Sequence, residues 1–208
     1  MSSENNKLCK EAVAVLNKVW KMSSQKAAED LTIMSGENFH LSNMNFQQVP
    51  LEDIPDLIGN PEQIVSVVML EITGKCKGEI LLILPEKSAD ELVSILFGNY
   101  QLSAEEIEEN RQSALRETGN ILGSAFLNSI AAITDMEVLP TVPVDAKDMT
   151  AAIMDIIQIK YASIGDQIFV AESALMRDSK PMALYLLAIF EPESLAEIVK
   201  HSNRSFLE

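Results

Sequence analysis

Four side chains in one stretch are spaced so that they could act together on an external atom. They are Ser113, Glu117, Asn120 and Ser124, at i, i+4, i+7 and i+11. A helix turns about 100° per residue, so this spacing puts all four inside an arc of about 60°. A carboxylate and an amide then lie one turn apart. A carboxylate can pair with a cation on a partner. An amide is no base near neutral pH, but it can hold a water by hydrogen bonds and aim it. Spacing alone assigns no chemistry here, because Glu and Asn on an outer helix face are usually just solvated.

The surrounding residues read as a helix from Ser103 to about Thr134. Ser103 with Glu106 three residues on is a capping-box start. Leu115, Ile121, Leu122, Ala125, Phe126 and Ile133 fall on one broad face, opposite the polar stripe.

The stretch SALRETGNILGSAFLNSIAAITDMEVLPTVPVDAKDM, Ser113 to Met149, resembles the signature of the CheC, CheX and FliY family. That signature is Asp or Ser, three residues, Glu, two residues, Asn, 22 residues and Pro; Ser113, Glu117, Asn120 and Pro143 meet every spacing. A weaker resemblance runs from about Leu8 to Val199 and includes VPLEDIP at Val49 to Pro55. The resemblance, closest to the CheC type, implies a phosphatase for the aspartyl phosphate of a CheY-like response regulator in chemotaxis signalling. It implies that Asn120 orients the attacking water, since phosphoryl transfer depends on positioning more than on strong bases. Glu117 would dock on the regulator's active-site lysine. Ser113 would support that contact surface, and Pro143 would fix the strand lying near the helix. No cofactor of the chain's own is implied, and magnesium is expected on the regulator. The alternative that the family implies is a non-catalytic adaptor binding a CheD-like deamidase or a regulator.

The elements that would position this helix repeat in two halves. Lys7 to Met34 reads as a helix, with Val13, Leu16, Trp20, Ala27, Ala28 and Leu31 near helical spacing and Gly36 at its end. Phe39 to Val49 reads as extended, and Pro50, Pro55 and Pro61 mark a turn-rich connection. Ile64 to Thr73 and Glu79 to Leu84 suggest a hairpin, followed by a short helix from Ser88 to Phe97. After the long helix, Met136 to Val144 is extended. Thr150 to Ser163 and Asp166 to Met176 are expected to pair around Gly165. Met182 to Phe190 is a strand and Glu193 to His201 a closing helix. ILLILPEKSADELVSI from Ile80 lines up with LYLLAIFEPESLAEIV from Leu184 at an offset near 106. The expectation is an α+β fold in a single domain, residues 1–208, of internally duplicated α-β units sharing a mainly antiparallel sheet. Two long helices and shorter ones would flank that sheet. The halves are about 7–100 and 101–205.

The first half lacks the signature. A gapless frame carried back from VPLEDIP puts Met44 at the proline position and Ala14, Lys18 and Lys21 at the other three. A lysine in the glutamate's place reverses the charge, so a single site is expected, on the second long helix.

Bulk composition narrows the partners. The formal charge is -15, from 16 basic and 31 acidic residues. This argues against binding a phosphate backbone or an anionic membrane surface. The longest apolar run, MALYLLAIF at Met182 to Phe190, is well short of a membrane span, and the start MSSENNKLCKEA has no signal-peptide pattern. Cys9 and Cys76 share no CxxC pattern and read as free thiols in a reducing cytoplasm, while His40 and His201 are isolated. These residues suggest no metal cluster.

Overall fold

The structure is a computed structural model that describes residues 3–42, 45–98, 103–161, 167–177 and 180–205. The first half runs α1 (Ser3–Ser35), β1 (Phe39–Leu41), β2 (Phe46–Pro50), a 3-10 turn at Leu51–Asp53, α2 (Ile54–Ile58), β3 (Ile64–Gly74), β4 (Gly78–Pro85) and α3 (Glu86–Phe97). The second half runs α4 (Ala104–Thr134), β5 (Val138–Pro140), β6 (Val144–Met149), α5 (Thr150–Tyr161), β7 (Gln167–Arg177), β8 (Lys180–Phe190) and α6 (Pro192–Ser205). The fold is α+β, with two long helices and shorter ones around one antiparallel sheet of eight strands.

β4 and β8 pair at the centre, β3 and β7 flank them, and the short strands lie outermost: β1 and β2 on β7, β5 and β6 on β3. Both faces of the sheet are covered, which explains why its central strands are continuous apolar runs rather than alternating ones. On β4, Ile80, Leu82 and Leu84 enter a large core with α1, α3, α4 and α6. Leu81 and Ile83 point the other way, into a smaller core with α2 and α5.

The registers of the two halves superpose. Phe39 lies opposite Arg177, and Val138 opposite Gly74. Phe46 lies opposite Ala171, and Asp145 opposite Val68. Both comparisons set the outer strands 99 positions apart (39 to 138, 46 to 145) and the strands they pair with 103 apart (74 to 177, 68 to 171). The ends of the long helices obey the same 99. α1 stops at Gly36, φ 75°, and α4 at Asp135, φ 56°. Gly36 N–H donates to the Thr32 carbonyl and Asp135 N–H to the Ala131 carbonyl, each at 2.8 Å. These are the left-handed stops that commonly end helices, Asp being one of the few non-glycine residues that tolerate them. The gapless frame read from the sequence therefore matches the long helices and the outer strands, while β3 and β7 stand four positions further apart.

The fold departs from expectation in the second half. Thr150 to Tyr161 is a helix, not a strand, and β7 pairs with β8 and not with residues 150–161. Ile153, Met154, Ile157 and Tyr161 turn inward at helical spacing, while Ile156 and Ile159 stay 63% and 81% exposed. Apolar residues on both faces hid the helical period and left a β-branched run that reads as strand. The expected turn at Gly165 lies outside the described residues, as does Met44. Phe39 to Val49 holds two short strands, and Met136 to Val144 holds β5 and only the start of β6. Among the described residues, no helix is long and apolar enough to cross a membrane.

Candidate functional site

The site is built on α4, and α4 is fixed at several points. Ser103 Oγ accepts from the Glu106 N–H at 3.2 Å, and Glu106 returns a carboxylate oxygen to the Ser103 N–H at 2.7 Å. That reciprocal bond from the Ser103 backbone holds the Glu106 carboxyl below the usual range. Two turns on, the Arg111 guanidinium is buried and makes ion pairs of 2.9 Å with both Glu86 and Asp90 on α3. It also donates to Ser66 on β3 at 3.4 Å. Farther along, Gly119 and Gly123 face β3. A Cβ on Gly119 would lie 2.8 Å from Val68 Cβ, and one on Gly123 would lie 3.0 Å from Leu70 Cδ1. The absence of those two side chains lets the helix backbone rest on the strand, which sets the height of everything on its outer face.

On that outer face Ser113 and Glu117 are exposed and Asn120 is half-buried. Ser124 donates its hydroxyl to Asn120 Oδ1 at 3.3 Å. This bond orients the amide and leaves one Oδ1 lone pair and both Nδ2 hydrogens for an outside group. Asn120 and Ser124 stand on the wall of a groove of about 330 Å³ between α1 and α4, beside the Lys26–Asp30 ion pair of 2.7 Å. Glu117 lies outside the groove, one turn toward the helix start. The sequence-derived stripe is thus one helix face, with Asn120 recessed and Glu117 forward.

Pro143 is half-buried and ends the link from β5 into β6. It does not join the stripe. Its reach toward the site goes through β6, where Asp145 pairs with Arg116 of α4 at 3.0 Å. Leu139, Val142 and Val144 are exposed along this edge.

Sequence reasoning did not find Arg111, Gly119 or Gly123. Arg111 and its partners Glu86 and Asp90 carried no local signal. The two glycines, four apart in a helix, were the signal for close packing. Among the described residues, no group of three or more His, Cys, Asp or Glu is placed to hold a metal ion.

The same positions on α1 are exposed but different. The shared frame puts Ala14 where α4 has Ser113, Lys18 where it has Glu117 and Lys21 where it has Asn120.

No family model matches the chain. It is 22% identical over 181 residues to the CheY-P phosphatase CheC of Bacillus subtilis (strain 168), covering 86% of this chain and 87% of that one. The crystal structure of Thermotoga maritima FliY has the same fold, with a TM-score of 0.74 at 14% identity over 94% of this chain and 97% of that one. The FliM middle domain from Vibro alginolyticus matches at a TM-score of 0.62, 13% identity, 89% and 98% coverage. The CheX–CheY–BeF3–Mg complex from Borrelia burgdorferi matches at 0.51, with 17% identity and 82% and 97% coverage. Sequence likeness to a CheC protein along most of the chain, joined to the fold shared with FliY and CheX, supports the resemblance to the CheC, CheX and FliY family.

Proposed function

We propose that the protein hydrolyses the aspartyl phosphate of a CheY-like response regulator in the cytoplasm, with one active site on α4. The observation that carries this reading is the pairing of an exposed Glu117 with a recessed Asn120 whose amide is held by Ser124. In the reaction a water oxygen attacks phosphorus, the bond from phosphorus to the aspartyl oxygen breaks, and aspartate and inorganic phosphate leave. Glu117 docks by a charge-assisted pair with a cation beside the regulator's phosphate. Docking carries Asn120 to the water, which its amide aims in line with the leaving carboxylate. Ser113 extends the contact face, and Pro143 sets the edge beside it. The magnesium that such chemistry uses belongs to the regulator.

The test is phosphate release from a purified phosphorylated regulator. Asn120→Ala removes the acceleration, a loss of about a hundredfold or more. Glu117→Ala chiefly weakens binding of the phosphorylated regulator. An Asn120→Ala protein as fast as wild type would end this mechanism.

A second reading has its own observation. Ile156 and Ile159 leave an uncovered apolar pair on the outside of α5, away from the α4 stripe. An adaptor that binds a CheD-like deamidase would use such a patch. Pull-down with a CheD-like protein, comparing wild type with Ile156→Ser/Ile159→Ser, tests it: capture that is equal for both removes the patch from consideration.

A further inference from the structure

The outer face of α1 carries a pattern that the α4 site does not use. Lys7, Lys10, Lys18 and Lys21 fall within an arc of about 80°. They form two i,i+3 pairs set eleven residues apart, or three helical turns and roughly 16 Å. All four are exposed. Between Lys7 and Gln25 no carboxylate falls inside that arc, in a chain with 31 acidic and 16 basic residues. Glu11 borders it and approaches Lys7 at 3.8 Å. Among the described residues neither Lys10 nor Lys21 has a carboxylate partner. Met22, 45% exposed, adds apolar surface at the margin of the stripe.

The shared frame gives this stripe a meaning. Lys18 and Lys21 stand where α4 presents Glu117 and Asn120, so the two outer faces have equivalent backbones and opposite charge. A partner whose cation meets Glu117 is repelled at Lys18. The face fits a partner that brings carboxylates in a row of matching length. We propose that the outer face of α1 docks an acidic helical segment of another protein, which lies along the helix with its carboxylates on the two lysine pairs and an apolar residue on Met22. This surface works independently of the hydrolytic site.

The test uses the full chain and two labelled synthetic peptides of one composition. One places four glutamates at the spacing of the four lysines, with leucine flanking. The other distributes the same residues around the helix. Fluorescence anisotropy at low salt shows the matched peptide bound at least about tenfold more tightly, and about 0.5 M salt weakens that binding. Lys18→Glu/Lys21→Glu abolishes the preference while circular dichroism shows an unchanged fold, since both side chains are exposed. The proposal is overturned if the two peptides bind alike, if neither binds, or if the double variant binds the matched peptide as wild type does. It is also overturned if that variant slows phosphate release from a phosphorylated regulator, because α1 then belongs to the regulator's own interface. A wild-type chain that releases no phosphate but prefers the matched peptide leaves this surface standing and removes the hydrolytic reading.

Discussion

Where α4 carries Gly119, α1 carries Trp20; where α4 carries Arg111, α1 carries Ala12. The strand residues matched by the 103 offset exchange size in the opposite sense, Val68 on β3 against Ala171 on β7. α4 accordingly rests on β3 as well as β5, whereas α1 packs chiefly on α4, β1 and α6. Trp20 is buried, stacks at an angle on Phe126 with centroids 6.5 Å apart, and its indole N–H has no partner among the described residues. Phe46 meets the same Phe126 ring at 5.5 Å. One long helix is thus seated by backbone contact and pinned by ion pairs. The other has a buried indole in place of Gly119 and meets α4 through the ring of Phe126. The helix whose backbone rests on the sheet carries the polar pair proposed for chemistry, and the helix held off by its tryptophan carries the lysines. Water-positioning tolerates little displacement, whereas a row of flexible lysines meeting carboxylates tolerates much more.

A transplant is the largest test of that difference. Asn120→Ala silences α4, and Lys18→Glu/Lys21→Asn then writes the pair onto α1. The backbone frame is shared, so some hydrolysis returns. The seat is not shared, so the rate stays below roughly a tenth of wild type in a phosphate-release assay. Recovery of the full rate would mean that the seat of α4 contributes nothing and would break the comparison.

Gly119→Ala tests the seat itself. The added methyl meets β-branched Val68 close to its backbone, where little can yield. Overpacking of this kind costs about 1–3 kcal/mol. For a chain of this size that lowers Tm by roughly 2–4 °C per kcal/mol. Phosphate release falls as well, because Asn120 and Glu117 are lifted with the helix. The control at the matching position, Trp20→Phe, lowers Tm less, since it also removes a buried donor that has no partner among the described residues. A Gly119→Ala protein that melts like wild type would show that α4 does not depend on this contact.

Much of this was legible in the sequence where the cause is local. The cap at Ser103 and Glu106 and the shared face of Ser113, Glu117 and Asn120 follow from spacing along one helix, and the frame carried back from VPLEDIP matches the left-handed stops at Gly36 and Asp135 that the structure adds. The seat was not legible. Gly119 has meaning only once Val68 lies beneath it, and Arg111 only once Ser66, Glu86 and Asp90 are brought to it from other elements. Pro143 matched the signature but reaches α4 through the pairing of β6 with β3 and the Arg116–Asp145 contact. α5 misled because Ile156 and Ile159 are apolar and exposed, so the pattern that normally separates inside from outside was missing.

The smallest expected effect concerns the pin. Burial pushes the Glu86 carboxyl up, but hydrogen bonds and charge from Lys147 and Arg111 outweigh it and hold that group below the usual carboxylate range. The unfolded chain therefore binds a proton at Glu86 at a higher pH than the folded one does. The stabilisation is fully present above about pH 4.3, the unfolded value, and is lost as pH falls through the lower folded value. Arg111→Met removes part of it. Asp90 is well exposed, Glu86 is partly exposed and Lys147 stays on Glu86, so solvent and the remaining lysine limit the cost to about 1–2 kcal/mol. Denaturant unfolding at pH 7 and at pH 3 measures both quantities. The variant is less stable at pH 7, and the gap between variant and wild type narrows in acid, because wild type loses there what the variant already lacks. A gap of constant size would mean that Arg111 holds α4 by packing its stem rather than by its charge.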